Sequence, residues 1–227
     1  MRMRKKPNLI PRMERCSAVQ ITQPESLKGR WLQEFPDYNS LYLELGCGKG
    51  RFTAETAKTL PDTLIIAVER VKDAMVVGME RACAEKLENV RFIDMDAGKI
   101  TEVFDAGEVD RIFINFCDPW HKDRQAKRRL THRNFLKLYR QVLKDGGEIH
   151  FKTDNQKLFE FSLEEFAATG FELREVTRDL HENGPVGVMT DYEVKFYEQG
   201  VKINRCVAKM APWNGSVQEK ETVKDEI

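Results

Sequence analysis

Residues 41–52 read LYLELGCGKGRF: a short apolar run passes without a break into three glycines, Gly46, Gly48 and Gly50, and a helical pattern starts at Arg51. A strand that ends in glycines and restarts as a helix is the opening unit of a parallel sheet. In such sheets a ligand sits at that turn, because glycine lets the backbone approach it and tolerates positive φ. Two phosphate-binding patterns are weakened by single residues. A dinucleotide GxGxxG would need glycine where Arg51 stands, and a P-loop would need Ser or Thr where Gly50 stands.

Outward from this turn, β-branched runs alternate with apolar residues at helical spacing. The strands are expected at 41–45, 63–69 (TLIIAVE), 90–95 (VRFIDM), 110–116 (DRIFINF) and 148–153 (EIHFKT), with helical patterns at 51–60, 72–87 and 132–143 between them. The alternation predicts an α/β fold, a doubly wound, Rossmann-like domain whose seven-stranded sheet is mostly parallel. LKDGG, just before the fifth strand, reads as a helix end and a glycine turn. Beyond it come a helix at 156–170 and two strands at 171–177 and 201–210, expected to run antiparallel because their connection looks short.

At 227 residues with 41% apolar composition the chain suits one domain with extensions: a basic arm and lead-in over 1–40, the domain over 41–212, and a hydrophilic tail over 213–227, expected to be disordered. The net charge is zero, so affinity for a polyanion has to come from local clustering of charge. Five dispersed cysteines, four histidines and the lack of a long apolar stretch predict a reduced, cytoplasmic protein with no metal and no membrane span. The choice between monomer and homodimer stays open.

Three acids stand at successive strand ends: Glu44 before the glycines, Glu69 after the second strand and Asp96 after the third, with Asp94 ranked behind Asp96. The ExGxGxG pattern resembles the first motif of class I S-adenosylmethionine-dependent methyltransferases. That ligand has no phosphates and carries a sulfonium and an ammonium, so carboxylates suit it; Glu69 is placed for the ribose hydroxyls and Asp96 for the adenine end. The fourth strand ends in Asn115, Phe116, Cys117, Asp118, Pro119, Trp120, where Pro119 restricts Asp118 to extended geometry. By spacing, Trp120 fits either stacking on a base or packing beneath the loop, and packing is the expectation. The next segment, HKDRQAKRR, sets five cations against one acid, a pattern suited to phosphates.

DPWHK followed by RRL, with GGEIHFKTDN and MTDYEVKFYEQGVKINR downstream, is similar to the bacterial tRNA (guanine-N7)-methyltransferase family over about residues 41–207. The resemblance implies methyl transfer from S-adenosyl-L-methionine to N7 of a guanine in the tRNA variable loop, at position 46. It implies Asp118 as catalytic acid; Glu44, Gly46, Gly48, Gly50, Glu69, Asp96 and Asp118 around the cofactor; and Lys122, Asp154, Thr190, Asp191, Tyr192 and Glu193 around the substrate. Arg124, Gln125, Ala126, Lys127, Arg128 and Arg129 would meet the RNA. Independently, Thr190 and Glu193 have the capping-box spacing, Asp154 or Asn155 suits a helix cap, and the Gly-Pro stretch at 180–188 reads as mobile. The rival readings are an exocyclic-amino methyltransferase, a small-molecule methyltransferase and a non-catalytic RNA-binding protein on the same fold.

Overall fold

A computed structural model describes residues 6–213 and Gly215. Seven strands form one sheet: β1 Ser40–Leu45, β2 Thr63–Val68, β3 Val90–Ile93, β4 Val109–Asn115, β5 Leu143–Thr153, β6 Phe171–Thr177 and β7 Asn204–Met210. Their order is β3-β2-β1-β4-β5-β7-β6; β7 is antiparallel to both neighbours and the other pairs are parallel. The strand order reverses between β1 and β4, and that is where a doubly wound sheet opens its ligand crevice.

The helices are α1 Leu9–Arg15, α2 Trp31–Glu34, α3 Arg51–Thr59, α4 Lys72–Ala84, α5 Ile100–Val103, α6 Arg133–Val142, α7 Gln156–Ala168 and α8 Asp191–Glu198. Central strands are apolar on both faces because both faces are covered: all six residues of β2 are buried. A large cluster joins the β1, β4 and β5 side chains to Trp31, Leu136, Tyr139, Phe159 and Phe166, and a smaller one joins β2 and β3 to Met13, Met75 and Met79.

Three expectations change. LKDGG belongs to β5, since Leu143 already pairs with Val109 and the glycines make an irregularity inside the ladder. β6 and β7 do run antiparallel, but their connection spans residues 178–203 and contains α8, so the short-connection argument was not the cause. The core also begins before residue 41. Trp31 is fully buried, stacks on Phe104 at 5.3 Å and donates its indole N–H to the Val103 carbonyl, while Arg12 of α1 pairs with Glu80 of α4 at 2.6 Å. The arm cations Arg2, Arg4 and Lys5, and the tail beyond Gly215, lie outside the described residues.

Candidate methyl-transfer site

The glycine turn is pinned from below: Gly46 and Cys47 donate their amides to the Val68 carbonyl. Gly46 and Gly48 take φ of 77° and 57°, and a Cβ added at either would meet nothing within 4 Å. That open space is a cradle over the strand ends. Gly50 serves differently, because its added Cβ would lie 2.8 Å from the Cα of Gly78, so this pair lets α3 and α4 touch.

The expected acids divide into two groups. Glu69 is half-buried and accepts from the Gly48 and Val71 amides at 3.0 and 2.8 Å, which ties the end of β2 to the turn. Asp96 is exposed, accepts from the Gly98 amide and lies 3.6 Å from Arg70; Asp94 is paired with Lys72 at 3.0 Å. Glu44, by contrast, is buried beneath the loop, where it accepts from Thr53 Oγ1 and from Asn115 Nδ2 at 3.3 Å. Burial pushes its carboxyl up to about 7 against those hydrogen bonds. With Nδ2 committed to Glu44, the Asn115 Oδ1 is left as a buried acceptor with no partner among the described residues; Asn115 also lines, with Phe52, Lys152 and Val188, a cavity of about 320 Å³ that the glycine turn does not border. An open glycine cradle with a carboxylate at the β2 end fits a cationic sulfonium nucleoside such as S-adenosylmethionine.

Beyond Asn115 the chain forms a tip. The Phe116 amide donates to the Lys152 carbonyl, and Phe116 and Trp120 hold φ of 52° and 44°. Left-handed backbone at bulky residues costs on the order of 1 kcal/mol each, strain that collects at functional sites. Asp118 stands exposed between them. Trp120 is not in the core; it is half-buried, with the Arg128 guanidinium 5.0 Å over its ring. Residues Asp123–Arg128 form a 3-10 helix with no buried member, and among the described residues Lys122, Arg124, Lys127 and Arg128 have no carboxylate within ion-pair distance. Gln125 and Ala126 are half-buried on that helix. Arg129 faces inward and bonds to main-chain carbonyls of the tip.

The last segment comes from far along the chain. Thr190 and Glu193 form the reciprocal capping box of α8, and Glu193 is completely buried. Its carboxylate accepts from Lys152 Nζ at 2.6 Å, hydrogen-bonds His181 Nε2 at 3.1 Å and accepts the Thr190 amide at 3.2 Å. Lys152 also donates to the Val188 carbonyl and the Leu180 amide to the Ile203 carbonyl, so the 180–188 stretch, expected to be mobile, is bonded to the scaffold at both ends, while His181 Nδ1 accepts the Val186 amide within it. Asp191 and Tyr192 are exposed; Asp191 lies 3.7 Å from Arg51 at the start of α3, while Phe196 packs 5.9 Å from Phe116 of the tip. Asn155 caps α7, leaving Asp154 exposed at the end of β5. The sequence reading named Asn115 only as part of the fourth strand's end, assigned His181 no role and did not single out Lys152. Lys152 alone had a signal, as a lone cation inside an apolar alternation.

Among the described residues no helix is long and apolar enough to cross a membrane, and no group of three or more His, Cys, Asp or Glu is placed to share a metal ion. Residues 38–206 match the family described as putative methyltransferase. The tRNA (guanine-N(7)-)-methyltransferase of Clostridium novyi is 43% identical over 213 residues, covering 92% of this chain and 100% of the relative. That of Clostridioides difficile is 48% identical over 189 residues, covering 82% and 87%. Two solved structures share the fold at low identity. The 16S rRNA methyltransferase KamB has a TM-score of 0.62 at 14% identity, covering 79% of this chain and 92% of that one; TrmN from Thermus thermophilus has 0.55 at 23%, covering 83% and 48%. By identity and coverage together, the chain belongs to the S-adenosylmethionine-dependent tRNA (guanine-N7)-methyltransferases.

Proposed function

We propose that the tip at the end of β4 directs methyl transfer to N7 of a guanine in the variable loop of tRNA, in the cytoplasm, with Asp118 facing the target base. The observation that carries this reading is the juxtaposition of an exposed carboxylate at the tip with four cations that have no carboxylate partner among the described residues and an open glycine cradle. S-adenosylmethionine, when bound, supplies a methyl group on a positively charged sulfur. Guanine N7 has an in-plane lone pair and no proton, so no general base is required of the chain. The purine becomes cationic on methylation, and a carboxylate fixed beforehand next to it favours the transition state over the ground state. Asp118 serves as that charge, or accepts the guanine N1 and N2 hydrogens and so orients the ring; both roles need a rigid tip.

Gly46, Gly48 and Glu69 would hold the ribose part of the donor and Asp96 its adenine. Gly50 and Glu44 support this site from beneath. Lys122, Asp154, Asp191 and Tyr192 form the exposed rim that meets substrate, and the buried Thr190 and Glu193 shape it by capping α8. Arg124, Lys127 and Arg128, with Gln125 and Ala126 between them, face the RNA backbone, where charge and shape carry recognition more than base sequence does. The test is nucleoside analysis of unmodified tRNA incubated with the protein and methyl-labelled S-adenosylmethionine. Label in 7-methylguanosine, lost when the variable-loop guanine is replaced, supports the reading. Label on an exocyclic amino group would favour the rival chemistry instead.

A further inference from the structure

We propose that Arg129, which the sequence groups with the RNA-facing cations, is a positioning residue that clamps the catalytic tip from within. Its Nε donates to the Pro119 carbonyl and its Nη2 to the Trp120 carbonyl, both at 3.0 Å, so one planar guanidinium spans the peptide units on either side of Trp120. The guanidinium lies 4.4 Å over the ring of Phe161 on α7, and Phe161 in turn stacks with His132 at 6.2 Å. Through this chain of contacts the tip is fastened to the scaffold on its C-terminal side. On the other side the Phe116 amide is fastened to β5.

The clamp has a strained object to hold. Trp120 keeps a left-handed backbone, and such a conformation at a bulky residue persists only where its surroundings enforce it. Pro119 fixes φ within the segment but contributes no amide, so the tip has fewer main-chain anchors of its own and its carbonyls become the available handles. Arginine suits them because its donors lie in a fixed plane and that plane stacks on an aromatic ring; lysine is a point donor that does neither. Arg128, the next residue back, sits over the Trp120 ring from the solvent side and stays exposed, so adjacent arginines take opposite tasks.

The inference rests on the proposed role of Asp118 for its catalytic consequence, but not for the clamp itself. The experiment compares wild type with Arg129→Lys and Phe161→Leu by two readouts: amide hydrogen exchange over residues 116–122 without substrate, and single-turnover methylation with saturating tRNA. Faster exchange at the tip is expected in both variants, together with a saturated rate lowered about a hundredfold in Arg129→Lys and less in Phe161→Leu, since small misplacement of a reacting group is costly. The affinity for tRNA and its salt slope should stay at wild-type values. Unchanged exchange in both variants overturns the proposal. So does a charge-removing Arg129→Gln variant with a normal saturated rate and a salt slope lower by about one unit, which would make Arg129 a phosphate contact. A wild type that forms no 7-methylguanosine would overturn the proposed function alone, because the exchange comparison needs no substrate.

Discussion

Asp118 and Glu44 are carboxylates on adjacent strands in opposite situations. Asp118 is exposed, with its direction set by the backbone around Pro119 and not by partners of its own. Asp118→Asn keeps the shape and removes the charge, so the melting temperature should hold while saturated turnover falls about a hundredfold or more; near-normal turnover would remove Asp118 from the chemistry. Glu44 is buried, and its carboxyl is raised from an ordinary 4.5 to about 7. Between those values the folded state holds the proton more tightly than the unfolded chain does, so stability falls as pH rises through the window and levels off above it. Glu44→Gln has no such slope. The stability of wild type minus that of Glu44→Gln should therefore drop by about 3 kcal/mol between pH 4 and 8 in chemical denaturation, and a flat difference would mean that the site is not desolvated.

At the scale of elements, the 3-10 helix Asp123–Arg128 presents its cations and hides almost nothing, and α8 does the reverse with Glu193. Arg124→Ala, Lys127→Ala and Arg128→Ala should each lower the slope of log affinity for tRNA against log salt by about 0.7 to 0.9 and weaken all tRNA species alike. Slopes equal to that of wild type would make the segment a solvated loop. Both helices were legible as patterns: the charge run is plain in sequence, and Thr190 with Glu193 has capping-box spacing. The partner of Glu193 was not legible, since Lys152 lies on β5 and the two meet only when α8 folds back over the sheet. Likewise Gly78 reads as an ordinary helix residue until α3 is laid against α4 at Gly50.

The folded core extends beyond the stretch that carries the sequence motifs. Residues before the first strand supply Trp31, which fills a space between Phe104 and Phe35 with no exposed surface. Trp31→Ala should cost about 3–5 kcal/mol and lower the melting temperature by roughly 10 °C. A shift of only a degree or two would return the lead-in to the status of a detachable arm. Local patterns predicted the parallel core because strand, glycine turn and helix are properties of short windows. They determined the glycine cradle, the acids at 44, 69, 96 and 118, and the cationic run, since spacing along one strand or turn fixes where those side chains emerge. Only the tertiary structure decided which members of each set are exposed and which are buried. Glu44 sinks beneath the loop, Glu193 turns inward to Lys152, and Arg129 turns from solvent to the tip, because burial and partner choice depend on what packs above a residue, and the packing partner comes from elsewhere in the chain.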